Sequence, residues 1–398
     1  MRRRYSLRLY LAGAVAARAG DEMSGPALML AGFALAGSTV EASSLLAGIT
    51  ISAAVGGPVI GALLDRAGRP GRLLAGALVL YAAGLGMILV GLGRLPFGVT
   101  ILIAVVTGLL GPALSGGWTA QLPRVVLGEH LPRANALDAM TFSVASLAGP
   151  ALAGGVAEAL GAPSAVVVSV VLIALALPAA WMLPARQGRA RGAQTTSVIS
   201  DLAAGMRIIA GRPPLARATL TSVVSCLAQG MLTACIPLLG ERVLGGAGRG
   251  AVLLSCAAVS ALVANAVLAR FPRAVAPDTI IWASALVQAA ALALATVGSP
   301  VVLIVAALVA GIGEGPQLAA LFDIRHREAP DHLRGQIFTT GASLKITGFA
   351  LGTAVAGPLV AWSLPVAVAL AASVAVLAAL VFFTIPSATI NSSEEHVC

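Results

Sequence analysis

An all-α integral membrane protein, twelve transmembrane helices set as two parallel six-helix bundles, is the fold this sequence predicts. Three observations predict it: the scarcity of charge, the number and length of the apolar runs, and a second half that echoes the first. Of 398 residues, 58% are hydrophobic and 10% charged, against about 25% charged in an ordinary soluble domain. Too few charges remain to cover a water-facing surface.

A helix crosses the roughly 30 Å hydrocarbon layer with about 20 apolar residues. Runs of that kind fall at 9–34, 43–64, 73–93, 98–118, 137–158, 164–184, 218–239, 249–270, 279–298, 301–322, 338–360 and 363–385. Six lie on each side of a longer polar segment. The predicted domains are an N-terminal bundle over 1–184, a linker with an amphipathic helix over 185–217, and a C-terminal bundle with a short tail over 218–398. The opening Met1-Arg2-Arg3-Arg4 and the small residues Ala14-Val15-Ala16 also fit a secretory leader, but the apolar run continues past Asp21 to about residue 34, too long for a leader's core.

The net charge of +9 sorts by membrane side. Twenty arginines fall in the termini and in the loops on their side, whereas Arg94, Arg242 and Arg249 alone occupy the opposite loops. By the positive-inside rule both termini are cytoplasmic and the protein is a multi-pass protein of the inner (plasma) membrane. The basic balance is therefore spent on topology and on anionic lipid headgroups, and no nucleic-acid partner is expected.

Internal repetition follows the spans in order. Arg66-Ala67-Gly68-Arg69 after the second span matches Arg270-Phe271-Pro272-Arg273 after the eighth. Glu129-His130-Leu131-Pro132-Arg133 before the fifth is echoed by Asp331-His332-Leu333-Arg334 before the eleventh, and Gly149-Pro150 recurs as Gly357-Pro358. Offsets near half the chain length on one membrane side imply a duplicated bundle. The copy is degenerate at one point, because Ala269 stands where Asp65 would recur. In the connecting segment, Ile199, Leu202, Met206 and Ile209 recur at helical spacing opposite Asp201, Arg207 and Arg212, as in a helix lying on the inner surface and tethering the bundles.

Ionisable residues inside spans are costly and so carry information. The first span holds Arg18, Asp21 and Glu22, whose spacing of three and four stacks the arginine over both acids. Two acids with one cation suit one carboxyl to bind a proton reversibly, or the three form a static ion pair. The seventh span carries Thr221, Ser225, Gln229 and Thr233 every four residues, a stripe that lines a cavity or bonds to neighbouring helices. The tenth holds Glu314 and Gln317 beside Gly311, Gly313, Gly315 and Pro316. Lys345, the chain's single lysine, falls in the eleventh, where it neutralises Asp138 or Glu314, binds an anionic substrate, or snorkels to the interface. Cys226, Cys235, Cys256 and Cys398 form no C-x-x-C pair, and His130, His326, His332 and His396, all expected in loops or the tail, form no H-E-x-x-H. Neither a metal site nor a cofactor is expected, and no phosphate loop or nucleophile constellation argues for an enzyme.

The segment Gly61-Ala62-Leu63-Leu64-Asp65-Arg66-Ala67-Gly68-Arg69 resembles the G-x-L-x-D-R-x-G-R signature of the major facilitator superfamily, and the resemblance extends over nearly the whole chain. It implies a transporter working by alternating access and driven by an ion gradient, with helices one, four, seven and ten lining a central cavity. It also implies that Asp65, with Arg66 and Arg69, latches the cytoplasmic gate against the opposite half. Gly149-Pro150-Ala151-Leu152-Ala153-Gly154-Gly155 is similar to the G-P-x-x-G-G element of the antiporter branches, one residue longer. The fourth span, Gly111 to Trp118, lacks the intramembrane arginine of the best-known drug antiporters. Arg18-x-Gly20-Asp21 and the Arg124 to Asn135 loop look more like the macrolide and siderophore exporters. The expectation is a monomeric proton-coupled exporter of an amphipathic drug, antibiotic or siderophore, with Arg18, Asp21, Glu22, Gln229, Thr233, Glu314, Gln317 and Lys345 at the cavity. Uptake by symport, or a non-transporting receptor on the same frame, are the competing expectations.

Overall fold

Hydrocarbon offers backbone amides no partner, so a chain this apolar can cross it only as helices that satisfy themselves. In the computed structural model, residues 5–36, 39–126, 128–185, 198–246 and 249–385 are described. Arg2 to Arg4, residues 186–197 of the linker, and the tail with Asn391, His396 and Cys398 lie outside them.

The first half comprises α1 (Leu7–Ala36), α2 (Thr39–Arg66), α3 (Pro70–Gly91), α4 (Phe97–Gly108) continued by a π-helical turn over Ala113–Gly117, α5 (Leu131–Leu160), and the split span α6 (Ala162–Leu175) with α7 (Leu177–Trp181). After the connecting α8 (Val198–Gly211) come α9 (Pro213–Leu244), α10 (Gly250–Arg270), α11 (Pro277–Ala295), α12 (Pro300–Glu328), α13 (Arg334–Trp362) and α14 (Leu364–Thr384). Eleven spans among the described residues are long and apolar enough to cross a membrane. The thirty-residue α1, diluted by its four charges, takes the remaining place in the twelve-helix arrangement.

Proline opens many of these helices. Pro70, Pro132, Pro213, Pro277 and Pro300 sit in first turns, where no intrahelical N–H is lost and φ is already helical. Gly245 ends α9 with φ 78°, a left-handed turn that only glycine adopts without strain. Several helices overrun their apolar cores. Thus α12 continues to Glu328 and α9 begins at Pro213, so Arg325, His326 and Arg217, expected in loops, are helical.

The duplication is visible in the packing. In the first half α1 lies along α5 and α6, α2 along α4, and α3 along α6; in the second, α9 lies along α13 and α14, α10 along α12, and α11 along α14. Between halves, α2 packs on α13 as α10 packs on α5. Lipid tails provide no hydrophobic drive for such pairing, so contact area is gained by close approach of small residues. A Cβ on Gly230 of α9 would meet the Phe349 carbonyl oxygen at 2.1 Å, and one on Gly352 of α13 would meet that of Leu227 at 2.0 Å. Large apolar side chains such as Leu80, Leu102 and Val263 are turned outward instead.

The amphipathic helix α8 packs against α2, α9 and α13. Ile209 is buried with Leu215, Ile324 and Leu333, and a Cβ on Gly205 would press on the Gln336 side chain. Met206 departs from the expected apolar stripe: it is 45% exposed, because the part of the helix that meets α13 is the Gly205 side. The side chains of Ile199 and Leu202 lie outside the described residues.

Gly352→Val will lower the thermal unfolding midpoint in detergent, by overpacking worth about 1–3 kcal/mol. Gly76→Ala, whose Cβ meets nothing within 4 Å, will leave the midpoint unchanged.

Candidate functional site

Two chambers occupy the space between the halves. One, of about 480 Å³, runs among α9, α10, α11 and α12 to within about a turn of the helix ends opposite the termini, at Leu303 and Leu253. The other, of about 440 Å³, lies among α1, α2, the π-helical turn, α12 and α13. They share Glu22, Phe142 and Leu318 as lining residues, and so meet at Glu22.

Arg18 is not the partner of the α1 acids. Its guanidinium donates to Asp138 Oδ1 at 2.9 Å and to Thr119 Oγ1 at 2.8 Å, reaches Thr141 Oγ1, and lies 3.7 Å over the Phe142 ring. Thr119 Oγ1 also donates to Asp138 Oδ2 at 2.8 Å. Both charges of this pair are buried, and among the described residues Arg18 makes no ion pair with Asp21 or Glu22. The i, i+3 and i, i+4 spacing failed as a guide because Arg18 reaches across to α5, where a second helix offers an acid and two hydroxyls. Lys345 therefore does not neutralise Asp138; its charge bears on Glu314 instead.

With Arg18 compensated elsewhere, the remaining acids face the cavity. Tyr81 of α3 donates a 2.6 Å hydrogen bond to Asp21 Oδ1. Glu22 and Glu314 are exposed only in the sense that they border the chambers, and they lie near enough for their charges to interact. Gly149 sets the height of Glu22: a Cβ there would come 2.7 Å from the glutamate Cβ, so glycine lets α5 lie against α1 at this level. Pro150 lines the larger chamber, while a Cβ on Gly154 would meet nothing within 4 Å.

The polar stripe of α9 divides. Gln229 and Thr233 line the larger chamber. Gln317, expected at the cavity, sits behind its wall in a chain of amides: Gln229 Nε2 donates to Gln288 Oε1 at 3.1 Å, Gln288 Nε2 to Gln317 Oε1 at 3.2 Å, and Gln317 Nε2 to Ser225 Oγ at 3.2 Å. Buried amides need such partners, and α11 supplied one in Gln288 that sequence spacing alone did not single out.

On the side of the termini the halves are closed on one another. Asp65, at the end of α2, accepts 2.8 Å hydrogen bonds from the backbone N–H groups of Gly335 and Gln336, at Oδ1 and Oδ2 respectively. These are the first amides of α13, unsatisfied within the helix and at the positive end of its dipole. Gly61 lets the helices close: a Cβ there would be 2.4 Å from the Gln336 Cα. Deeper in, the Gly57 N–H donates to Ser343 Oγ at 3.1 Å and Ser343 Oγ donates to the Ala53 carbonyl at 2.7 Å. Gly68 and Arg69 are exposed at the turn beyond. His326, expected in a loop, is buried inside α12, its ring 2.9 Å from Asn135 Oδ1 and 3.2 Å from the Thr119 carbonyl, which ties α12 to α5.

A helical bundle pair sealed on one side by a breakable cap, with ionisable groups in a cavity at mid-membrane depth, is a carrier that exposes its site alternately. The chain belongs to the Major Facilitator Superfamily, whose sequence pattern it matches over residues 10–344, and it is thus a membrane transporter. It is similar to the "Uncharacterized MFS-type transporter y4rN" of Sinorhizobium fredii (strain NBRC 101917 / NGR234), 27% identical over 354 residues that cover 86% of this chain and 87% of the relative. Among solved structures it shares its fold with the human organic anion transporter MFSD10 (TETRAN), at a TM-score of 0.78 and 15% identity, over 96% of this chain and 99% of the other. A bacterial homologue of the iron transporter ferroportin in an outward-facing state superposes at 0.75 and 15% identity, covering 95% and 98%. The transporter FucP in its outward conformation does so at 0.69 and 16%, covering 96% and 98%.

Asp138→Asn will destabilise the protein by about 3–5 kcal/mol, since it leaves Arg18 uncompensated, whereas the double replacement Arg18→Leu with Asp138→Leu will recover most of the loss; thermal unfolding in detergent measures both. Removing the cap by Asp65→Ala will weaken closure on the terminus side by about 1.5–3 kcal/mol, the worth of a hydrogen bond to a charged group. In a background without native cysteines, maleimide will then label Ser343→Cys roughly tenfold faster or more when Asp65→Ala is added.

Proposed function

We propose that the chain is a secondary active exporter of an amphipathic small molecule, driven by proton entry. The observation that carries this reading is the release of Asp21 and Glu22 from Arg18: because Asp138 compensates the arginine, two carboxyls stay available at the junction of the chambers, with Glu314 across the cavity. A group that binds and loses a proton must sit where burial and neighbouring charge respond to the occupant and to the access side. Glu22 has that position. An apolar lining of leucines, alanines and Phe142 suits a hydrophobic body, and Gln229, Thr233 and Lys345 suit a polar end.

With the termini in the cytoplasm, as the arginine distribution supports, the Asp65 cap is the cytoplasmic latch and the cavity is poised toward the outside. The bundles 1–184 and 218–398, joined through 185–217, rock about the α2–α13 and α5–α10 contacts. The energy source in this reading is the proton gradient across the plasma membrane, no cofactor takes part, and the working unit is a monomer. Export is favoured by the Gly149-Pro150 element, whose glycine brings α5 against Glu22 and so couples that helix to the protonation site. Uptake by symport uses the same groups in the opposite sense.

In energised inverted vesicles, addition of a transported compound will alkalinise the lumen of wild type, and Asp21→Asn with Glu22→Gln will abolish that signal while compound still binds. Undiminished alkalinisation in the double variant would sink the assignment. Opposite handedness of counterflow in right-side-out vesicles identifies the exporter.

A further inference from the structure

Arg325 is the most deeply buried cation of the smaller chamber's wall that forms no ion pair among the described residues. It lies eleven residues beyond Glu314 on α12, a spacing of just over three full turns that puts both on one face, and it borders the 440 Å³ chamber while only 2% exposed. Its Nε and Nη2 have no hydrogen-bond partner among the described residues. No ion pair joins Arg325 to an acid among the described residues: Asp138 holds Arg18, Asp21 accepts from Tyr81, Asp323 accepts from Asn135 at 3.2 Å, and Glu22 and Glu314 border the chambers without reaching it. The guanidinium rests on Gly341 of α13, where a Cβ would fall 2.4 Å from Cζ, and 5.8 Å from the Phe338 ring centroid. One turn further along α13, Lys345 lines the same chamber.

A buried cation without a counter-charge costs several kcal/mol, and an anion that meets it with good geometry offsets much of that. Nε and Nη2 are shut into the packing against α13, so the guanidinium meets the chamber through its remaining nitrogen, Nη1, which can face an oxygen of a carboxylate, sulfonate or phosphate. We propose that Arg325 and Lys345 form an anion-binding subsite, and that the transported compound is an amphipathic organic anion. Its acidic group sits against the Arg325 guanidinium with Lys345 beside it, and its apolar body lies toward Phe142, Phe322 and Leu318. Gly341 is required because any side chain there occupies the guanidinium's place. This assignment rests on the reading of the cavity as the substrate site, and it adds the charge of the substrate to it.

The test is equilibrium binding of one fluorophore in three charge states to the purified full chain in nanodiscs, with no gradient present: dansylglycine (anion), its methyl ester (neutral) and dansylcadaverine (cation). Dansylglycine is expected to bind saturably and about tenfold or more tighter than the ester, with the cation weakest. Arg325→Gln should erase the preference for the anion without weakening the ester, and Lys345→Gln should reduce it. Arg325→Lys, which keeps the charge but loses the planar guanidinium, should fall between, and it serves where the glutamine variant does not fold. Equal binding of the three probes, no saturable binding of dansylglycine below ~1 mM, or an unchanged preference in a folded Arg325 variant overturns the proposal. An anion preference kept while Asp21→Asn with Glu22→Gln leaves alkalinisation intact would instead retain the subsite and discard proton coupling.

Discussion

An ionised side chain at mid-membrane depth costs on the order of 2.5–3.5 kcal/mol on insertion scales, and the arrangement of this protein follows from how that cost is met at Arg18. The guanidinium is compensated across helices by Asp138, with Thr119 and Thr141 accepting from its two Nη groups. That choice fixes the height of α5 against α1. It also leaves the α1 acids with the cavity as their environment, Asp21 steadied by Tyr81 and Glu22 standing at the chamber junction. Had Arg18 paired with an acid of its own helix, one carboxyl fewer would be left to the interior.

Close approach of helices is the second constraint, and it makes the site possible. Gly149 on Glu22, Gly352 on Leu227 and Gly61 on Gln336 each replace a side chain by backbone contact. Such contacts come apart or slide without uncovering large apolar surfaces, which suits bundles that must rock. The π-helical turn over Ala113–Gly117 belongs to the same economy: a Cβ on Gly116 would lie 2.5 Å from the Phe338 carbonyl oxygen, so a widened turn of the fourth span lies tightly on α13 while Ser115 lines the chamber.

The fold was legible in the sequence because length, apolarity and duplication act over whole spans, and errors of a few residues at each end do not disturb them. Asp65 was legible because its acid, arginines and glycines are contiguous. What the sequence hid was partnership between helices: Arg18 with Asp138 is 120 residues apart, and Gln229, Gln288 and Gln317 come from three helices. Arg325 and His326 were hidden for a different reason. They follow the apolar core of the tenth span and count as loop charge by composition, yet Ala319 to Ile324 carries no helix breaker, and the helix runs on to Glu328 with both side chains buried. A continuous helical pattern up to Pro330 was the available signal.

The two interfaces between the halves are related by the duplication but differ in chemistry, and the difference has a mechanical consequence. Where α2 meets α13, Asp65 caps backbone amides with charge-assisted bonds that act over a short distance and direction. Where α10 meets α5, Ala269 holds the mirrored place and packs in an apolar cluster with Ala136, Ala139 and Phe322. Directional bonds release over a small displacement, while apolar packing weakens gradually with area lost. Opening on the side of the termini is therefore expected to begin at α2–α13, with α5–α10 as the contact about which the bundles turn. His326 lies between them, hydrogen-bonded to Asn135 of α5 with its ring centroid 4.4 Å from that of Phe338 of α13, so a single buried ring touches both interfaces.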